Sequence, residues 1–146
     1  METLAKAHSD VLELSEFPVD DEDLERVEEA LGHPLPDDLR SLLRLGDGGT
    51  LQLPHAVVHL ASAEQLAEWV GAGVHDELDA IPFAHDASGT VFVIDERGEW
   101  GGVPGGVYRV RSARRAAGRV AVRDAVRLAD SLSDFIAHVG AGRDAF

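Results

Sequence analysis

Apolar residues in the first part of the chain recur with the spacing of helices. One stripe has the i, i+3, i+7 spacing of a single helical face and consists of Leu24, Val27 and Leu31. Asp20 or Asp21 suits the N-cap of this helix, since a carboxylate can accept from its first N–H groups, and Gly32 suits its C-cap. Nearer the N-terminus, one short helix is predicted from Leu4, Val11, Leu12 and Leu14.

Two more helices are predicted from the residues at their ends. Pro36 suits the first turn of a helix over residues 37–45, where its missing N–H costs nothing. Ser62 and Gln65 have the spacing of a capping box, in which each side chain bonds the backbone N–H of the other residue. This pair predicts a helix over residues 63–70.

A last helix is predicted near the C-terminus, over residues 128–139, with Asp130 or Ser131 as its N-cap. Its apolar stripe consists of Leu132, Phe135, Ile136 and Val139. Residues 141–146 follow a glycine stop and are predicted to be a frayed tail.

The middle of the chain has the pattern of strands instead. Residues 81–95, I-P-F-A-H-D-A-S-G-T-V-F-V-I-D, are two apolar segments joined by a turn of short polar residues and glycine at 86–89. The returning segment, 90–94, is β-branched or aromatic and almost continuously apolar, which predicts a central strand covered on both faces. Residues 50–60 also have strand character, and Pro54 interrupts that strand or places it at an edge.

Further strands and loops complete the pattern. The glycine-rich residues 96–106 predict a loop, residues 107–110 a strand that pairs back, and residues 120–122 a short strand. The acidic residues 74–80 are predicted to be exposed. Helices at both ends of a run of strands predict an α+β fold, with N-terminal helices and a C-terminal helix packed on a mainly antiparallel sheet of about five to six strands.

The length of 146 residues predicts a single domain, 1–146, with a weakly ordered lead-in at residues 1–19. The chain has no Cys, which excludes disulfide scaffolds and thiolate metal sites. Its N-terminus lacks the layout of a signal peptide, and no apolar run approaches the roughly 20 residues that span a bilayer. We therefore expect a cytoplasmic protein.

The charge of the chain indicates which classes of partner it can bind. The net charge is −14, and it is spread unevenly. Residues 1–50 contain 14 acidic and 4 basic side chains, residues 51–100 contain 9 and 1, and residues 101–146 contain 4 and 8. Such a field repels nucleic acid and anionic membranes and attracts basic proteins, although acidic surfaces also serve solubility alone. The basic residues 109–127 are interpreted as pairing with acids of the same chain or contacting an acidic partner.

The chain offers no pattern typical of a catalytic or metal site. His55 and His59 on a strand would lie some 13 Å apart, too far to share one ion, and no H-E-x-x-H sequence is present. His85 and Asp86 could be a base and its orienting carboxylate, but Asp86 more simply begins the hairpin turn. No serine lies in a G-x-S-x-G elbow. We predict no catalytic residue, no metal and no cofactor.

Three segments in order carry a resemblance to a known family. They are L-G-H-P-L-P-D-D-L-R-S-L-L-R-L-G-D-G-G at 31–49, the hairpin at 81–95, and L-A-D-S-L-S-D-F-I-A-H-V at 128–139. Together they resemble the SUKH superfamily, which contains bacterial immunity proteins against secreted toxins and fungal regulators of cell-wall synthesis.

The resemblance implies a SUKH-like fold and a binding protein without enzymatic activity, which neutralises a bacterial toxin domain, often a nuclease, in the cytosol. A nuclease has a basic groove for the phosphate backbone, so an acidic protein suits it as a partner. The first alternative is an intracellular scaffold or regulatory module with no toxin partner. The second is an enzyme acting on a small cationic substrate.

We predict that the protein-binding surface lies on the acidic flanks of the hairpin. Its predicted members are Asp76, Glu77, Asp79, Glu96, Glu99 and Trp100, joined by the acidic start Asp20, Asp21 and Asp23. Trp100 would be the buried anchor of the interface, since Trp is enriched at such positions; the alternative is that it folds onto the core. Trp69, on the helix predicted at residues 63–70, is assigned to the core.

Overall fold

The computed structural model describes residues 1–54, 56–71, 80–87, 89–111 and 125–141, and within these ranges seven strands form one antiparallel sheet. Their order in the sheet is their order in the chain. The strands are β1 (Leu12–Leu14), β2 (Gly49–Gln52), β3 (Val57–Leu60), β4 (Ile81–His85), β5 (Thr90–Asp95), β6 (Gly106–Arg111) and β7 (Ala125–Ala129).

Five helices are present in the same described ranges: α1 (Glu2–Ala7), α2 (Asp21–Leu31), α3 (Asp37–Leu45), α4 (Ala63–Gly71) and α5 (Leu132–Gly140). The predicted α+β fold is confirmed, with N-terminal helices and a C-terminal helix on an antiparallel sheet. The sheet has seven described strands rather than five or six, because β1 and β7 arise where no strand was predicted and the predicted strand at 50–60 forms two, β2 and β3, before and after Pro54.

The N-terminal segment is not the one short helix that its leucines predicted. It forms α1 and then β1, in which Leu12 pairs with Leu51 and Leu14 with Gly49. Leu12 is buried in the main core, whereas Glu13 is exposed. The L-E-L alternation has the period of a strand, and pairing with β2 satisfies its backbone groups.

The terminal helix begins later than its predicted range of 128–139, whereas Ser131, one of its two predicted caps, is confirmed. Residues 128 and 129 belong to β7, and Ala129 pairs with Val107 of β6. Ser131 is the N-cap, with extended backbone and a hydroxyl that accepts from Asp134 N at 3.1 Å, so helical geometry begins only at Leu132. The strand predicted at 120–122 lies outside the described residues.

The helix ends that were predicted from capping residues are confirmed. Asp20, one of the two candidates, caps α2 by accepting from Asp23 N at 2.8 Å, and Gly32 follows with φ 84°. Ser62 and Gln65 form the capping box of α4, with N···O distances of 3.1 and 3.2 Å. These short-range bonds position α2 and α4, which line the candidate site.

Strand β5 lies inside the sheet, between β4 and β6, and its side chains are buried on both faces. Phe92 and Ile94 belong to the main core under the helices, where the Phe92 ring lies 5.7 Å from that of Phe135. Val93 points to the opposite face and packs with Tyr108 in a smaller cluster. The predicted central position of this strand is confirmed.

Candidate protein-binding surface

At the start of α2, Asp20 and Asp21 are exposed and Asp23 is partly buried, and each makes a local contact. Asp20 caps the helix, Asp21 Oδ1 lies 3.3 Å from Arg44 Nη2, and Asp23 Oδ1 lies 3.9 Å from Arg26 Nη1. Carboxylates at a helix N-terminus are favoured by the helix dipole, and exposed ion pairs of this kind add little stability. Ion pairs that contribute so little can be exchanged for contacts with a partner.

A groove of about 590 Å³ runs between α2 and α4. Its lining consists of Asp23, Arg26, Val27, Asp47, Ala63, Glu64, Ala67 and Glu68. Four of these side chains are carboxylates and one is a guanidinium. We call it the acidic groove. It has an apolar floor, since Val27 and Ala63 are buried, and a charged rim.

The local sequence explains how the acidic groove forms. Ala63 and Ala67 lie four apart on α4, so two small side chains share one helical face and leave space beside α2. Glu64 and Glu68 follow with the same spacing and are exposed. Asp47, in the turn after α3, accepts from Ala63 N at 2.7 Å and so joins the rim to the start of α4.

The loop between β5 and β6, residues 96–105, carries the other described part of the predicted surface. Glu96 Oε1 lies 3.3 Å from Nδ1 of His33, just beyond the end of α2, and Glu99 is exposed. Trp100 is half-buried on the smaller cluster, with its ring 5.2 Å from that of Tyr108. Its position combines core contact with partial exposure.

The predicted surface separates into two regions at opposite ends of α2. Asp20, Asp21 and Asp23 lie at its N-terminus, whereas Glu96 lies against His33 at its C-terminal end. The 11 residues of α2 span about 16 Å. The structure therefore does not bring the two acidic groups into one cluster. Asp76, Glu77 and Asp79 lie outside the described residues.

Three carboxylates of the acidic groove were missed: Asp47, Glu64 and Glu68. The i, i+4 spacing of Glu64 and Glu68 after a capping box was a usable signal for one exposed acidic face. The contact between α2 and α4 had no such signal, because it joins segments with three elements between them in the chain. Asp47 was assigned only to a turn.

The other residues considered for catalysis or metal binding make contacts within the fold. Asp86 is buried and accepts from Thr90 N at 3.0 Å, as its assignment to the hairpin turn predicted. His59 and His85 face each other across β3 and β4 with ring centroids 5.4 Å apart. Trp69, assigned to the core, is partly buried against it.

Two further properties concern the described residues alone. In these ranges no three His, Cys, Asp or Glu side chains gather closely enough to hold a metal ion. Among the helices described there, none has the length and apolar character that crossing a bilayer requires.

Comparison with known proteins identifies the family. The model of the SMI1 / KNR4 family (SUKH-1) matches residues 18–138, a range that includes α2 and every described strand except β1. A search of curated proteins gives no match. Members of the family are generally binding proteins without enzymatic activity, and they act through contacts with other proteins. The chain therefore belongs to the SMI1 / KNR4 (SUKH-1) family.

Proposed function

We propose that this protein is an immunity protein: it binds a basic bacterial toxin domain, such as a nuclease, in the cytoplasm and neutralises it. The observation that carries the proposal is the family match over residues 18–138, because it covers nearly the whole sheet and the helices that line the acidic groove. Binding without catalysis is the general activity of the family.

Electrostatics supports a basic partner. The chain has a net charge of −14, and four carboxylates line the acidic groove against one guanidinium. A nuclease holds the phosphate backbone with Lys and Arg, so an opposite field steers the two proteins together. The association rate constant of such a pair can reach roughly 10⁸ M⁻¹s⁻¹, which is about a hundredfold above that of neutral pairs.

The acidic groove suits a long basic side chain of that partner. Lys and Arg pack their apolar stems on apolar surface while the charged head stays in a polar environment. Ala67 offers apolar surface inside the groove, and Glu64 and Glu68 offer carboxylates at its rim. We expect an Arg or Lys of the toxin domain to enter here, close to Asp23.

The β5–β6 loop is the second proposed contact region, with Glu96, Glu99 and Trp100. Its Glu96 contacts His33 just beyond the C-terminal end of α2, a helix about 16 Å long, whereas the Asp20–Asp23 region lies at the start of that helix. A standard interface covers roughly 800 Å² on each partner, a patch roughly 30 Å across, so one toxin domain can contact both regions. The predicted residues Asp76, Glu77 and Asp79 belong to the same proposal.

Co-expression tests the proposal. A toxic domain encoded by a neighbouring gene is expressed with the wild-type chain or with one of two variants, and growth is scored. The E64K/E68K variant reverses the charge of the groove rim. The E25K/E29K variant makes the same change of net charge on exposed residues of α2 that do not line the groove.

We expect the wild-type chain and E25K/E29K to relieve the growth arrest, and E64K/E68K to bind the purified toxic domain at least tenfold more weakly. Equal losses in the two variants would show that only the overall field matters and would remove the groove from the interface. A regulatory module with a cellular partner would leave the growth arrest unrelieved.

A further inference from the structure

The carboxylate of Asp95, at the end of β5, is fully buried, with 0% exposure. Its Oδ1 accepts from Gly98 N at 3.1 Å and from Glu99 N at 3.2 Å, and its Oδ2 accepts from Trp100 N at 3.0 Å. Three consecutive backbone N–H groups thus point at one side chain. Burial of a charge is costly unless such bonds satisfy it, so the loop and the carboxylate stabilise each other.

The rest of the β5–β6 loop closes around this side chain. Gly105 N donates to the backbone oxygen of Asp95 at 2.7 Å, which joins the two ends of the loop. Gly98 has φ 73°, a conformation that a residue with a side chain would adopt only under strain. The Trp100 ring rests on Tyr108. These contacts restrain the loop despite its glycines.

Asp86, in the turn of the same hairpin, is a buried aspartate with a role in that turn, and it therefore serves as a comparison for Asp95. It is also buried, at 7% exposure, and its side chain accepts from Thr90 N at 3.0 Å. Asp95 instead organises a loop that carries Glu96, Glu99 and Trp100, all members of the proposed contact surface. Because the carboxylate of Asp95 restrains the conformation of this loop, it also restrains the positions of the contact residues that the loop carries.

We propose that Asp95 is a positioning residue of the binding surface: its buried carboxylate holds Trp100 and the β5–β6 loop in the conformation that the partner binds. The inference rests on the proposed function for the nature of the partner, a basic toxin domain. Its physical basis is preorganisation. A loop that is already ordered loses less conformational entropy when the complex forms, so affinity rises without a new contact.

The D95N variant tests the positioning without any partner. An asparagine keeps one acceptor oxygen for Gly98 and Glu99, but its NH₂ group faces the N–H of Trp100, donor against donor. We expect amide hydrogen exchange of the isolated protein to accelerate at least tenfold at Trp100 and much less at Gly98 and Glu99. Unchanged exchange at Trp100 would overturn the proposal, whether or not a toxic domain binds.

Affinity separates positioning from a general loss of stability. The control is D86N, which alters a buried turn carboxylate of the same hairpin outside the proposed surface. Measured with the purified toxic domain that the chain neutralises in co-expression, D95N is expected to weaken binding about tenfold and D86N less than twofold, at temperatures where both variants are folded.

Equal weakening in D95N and D86N, or none in either, would contradict the positioning role. If the wild-type chain neutralises no toxic domain, the proposed function fails. In that case the exchange rate at Trp100 in D95N alone decides whether Asp95 positions the loop. The two failures are therefore distinguishable.

Discussion

Asp20, Ser62 and Ser131 each cap the N-terminus of a helix. One side-chain oxygen of each residue accepts a hydrogen bond from the backbone N–H three residues later. The bond satisfies a donor that the helix itself leaves unpaired. Because partner and cap lie within one turn, these signals are local in the sequence, and each of the three was among the predicted capping residues. The start of α2, and with it one wall of the acidic groove, depends on the first of them.

The Asp20 cap is tested with D20A and D20N. Alanine removes the oxygen that accepts from Asp23 N, so we expect the free energy of unfolding to fall by about 1 kcal/mol. Asparagine caps as well as aspartate and removes the same charge, so D20N should stay close to wild type. Urea unfolding measures both. Equal losses in D20A and D20N would attribute the effect to charge rather than to the cap.

At the scale of elements, β1 shows how closely two backbones can approach. Gly49 of β2 pairs with Leu14 of β1 and has φ 153°. A Cβ atom added at Gly49 would overlap the carbonyl oxygen of Glu13. A glycine is therefore required for β1 to pair with β2. This pairing also places Leu12 of β1 in the main core.

G49A is expected to destabilise the protein by about 2 kcal/mol or more, because the new methyl group forces β1 away from β2 and strains the backbone. G71A is the matched control. Gly71 ends α4, and an added Cβ there meets nothing within 4 Å, so its helix propensity should leave stability unchanged or slightly raised. Thermal unfolding compares the two. A G49A protein as stable as G71A would contradict the close approach.

The elements that local signals define were predicted, and those that depend on distant pairing were not. Capping residues and apolar periods located α2, α3 and α4, and the turn residues located the hairpin of β4 and β5. β1 has only three residues, so its L-E-L alternation is too short to predict a strand, and its partner Leu51 lies beyond α2 and α3. β7 was missed because its residues A-V-R-L-A do not alternate and pairing with β6 decides their conformation.

At the scale of the whole molecule, folding places the described acidic residues of the predicted surface in two regions at opposite ends of α2. Composition predicted the sign of the field, but not the acidic groove. The groove needs Glu64 and Glu68 of α4 to face Asp23 of α2, and only the tertiary contact between these helices provides that. A partner that binds both regions has to span about 16 Å, the length of α2.

Neutralisation itself is the central claim, and titration tests it most directly. Purified protein is added to the purified toxic domain at fixed concentration, and the remaining activity of the toxic domain is measured. The account predicts that activity falls to background near equimolar protein, while E64K/E68K requires a large excess. Toxic activity that is unchanged at a tenfold excess of the wild-type protein would contradict it.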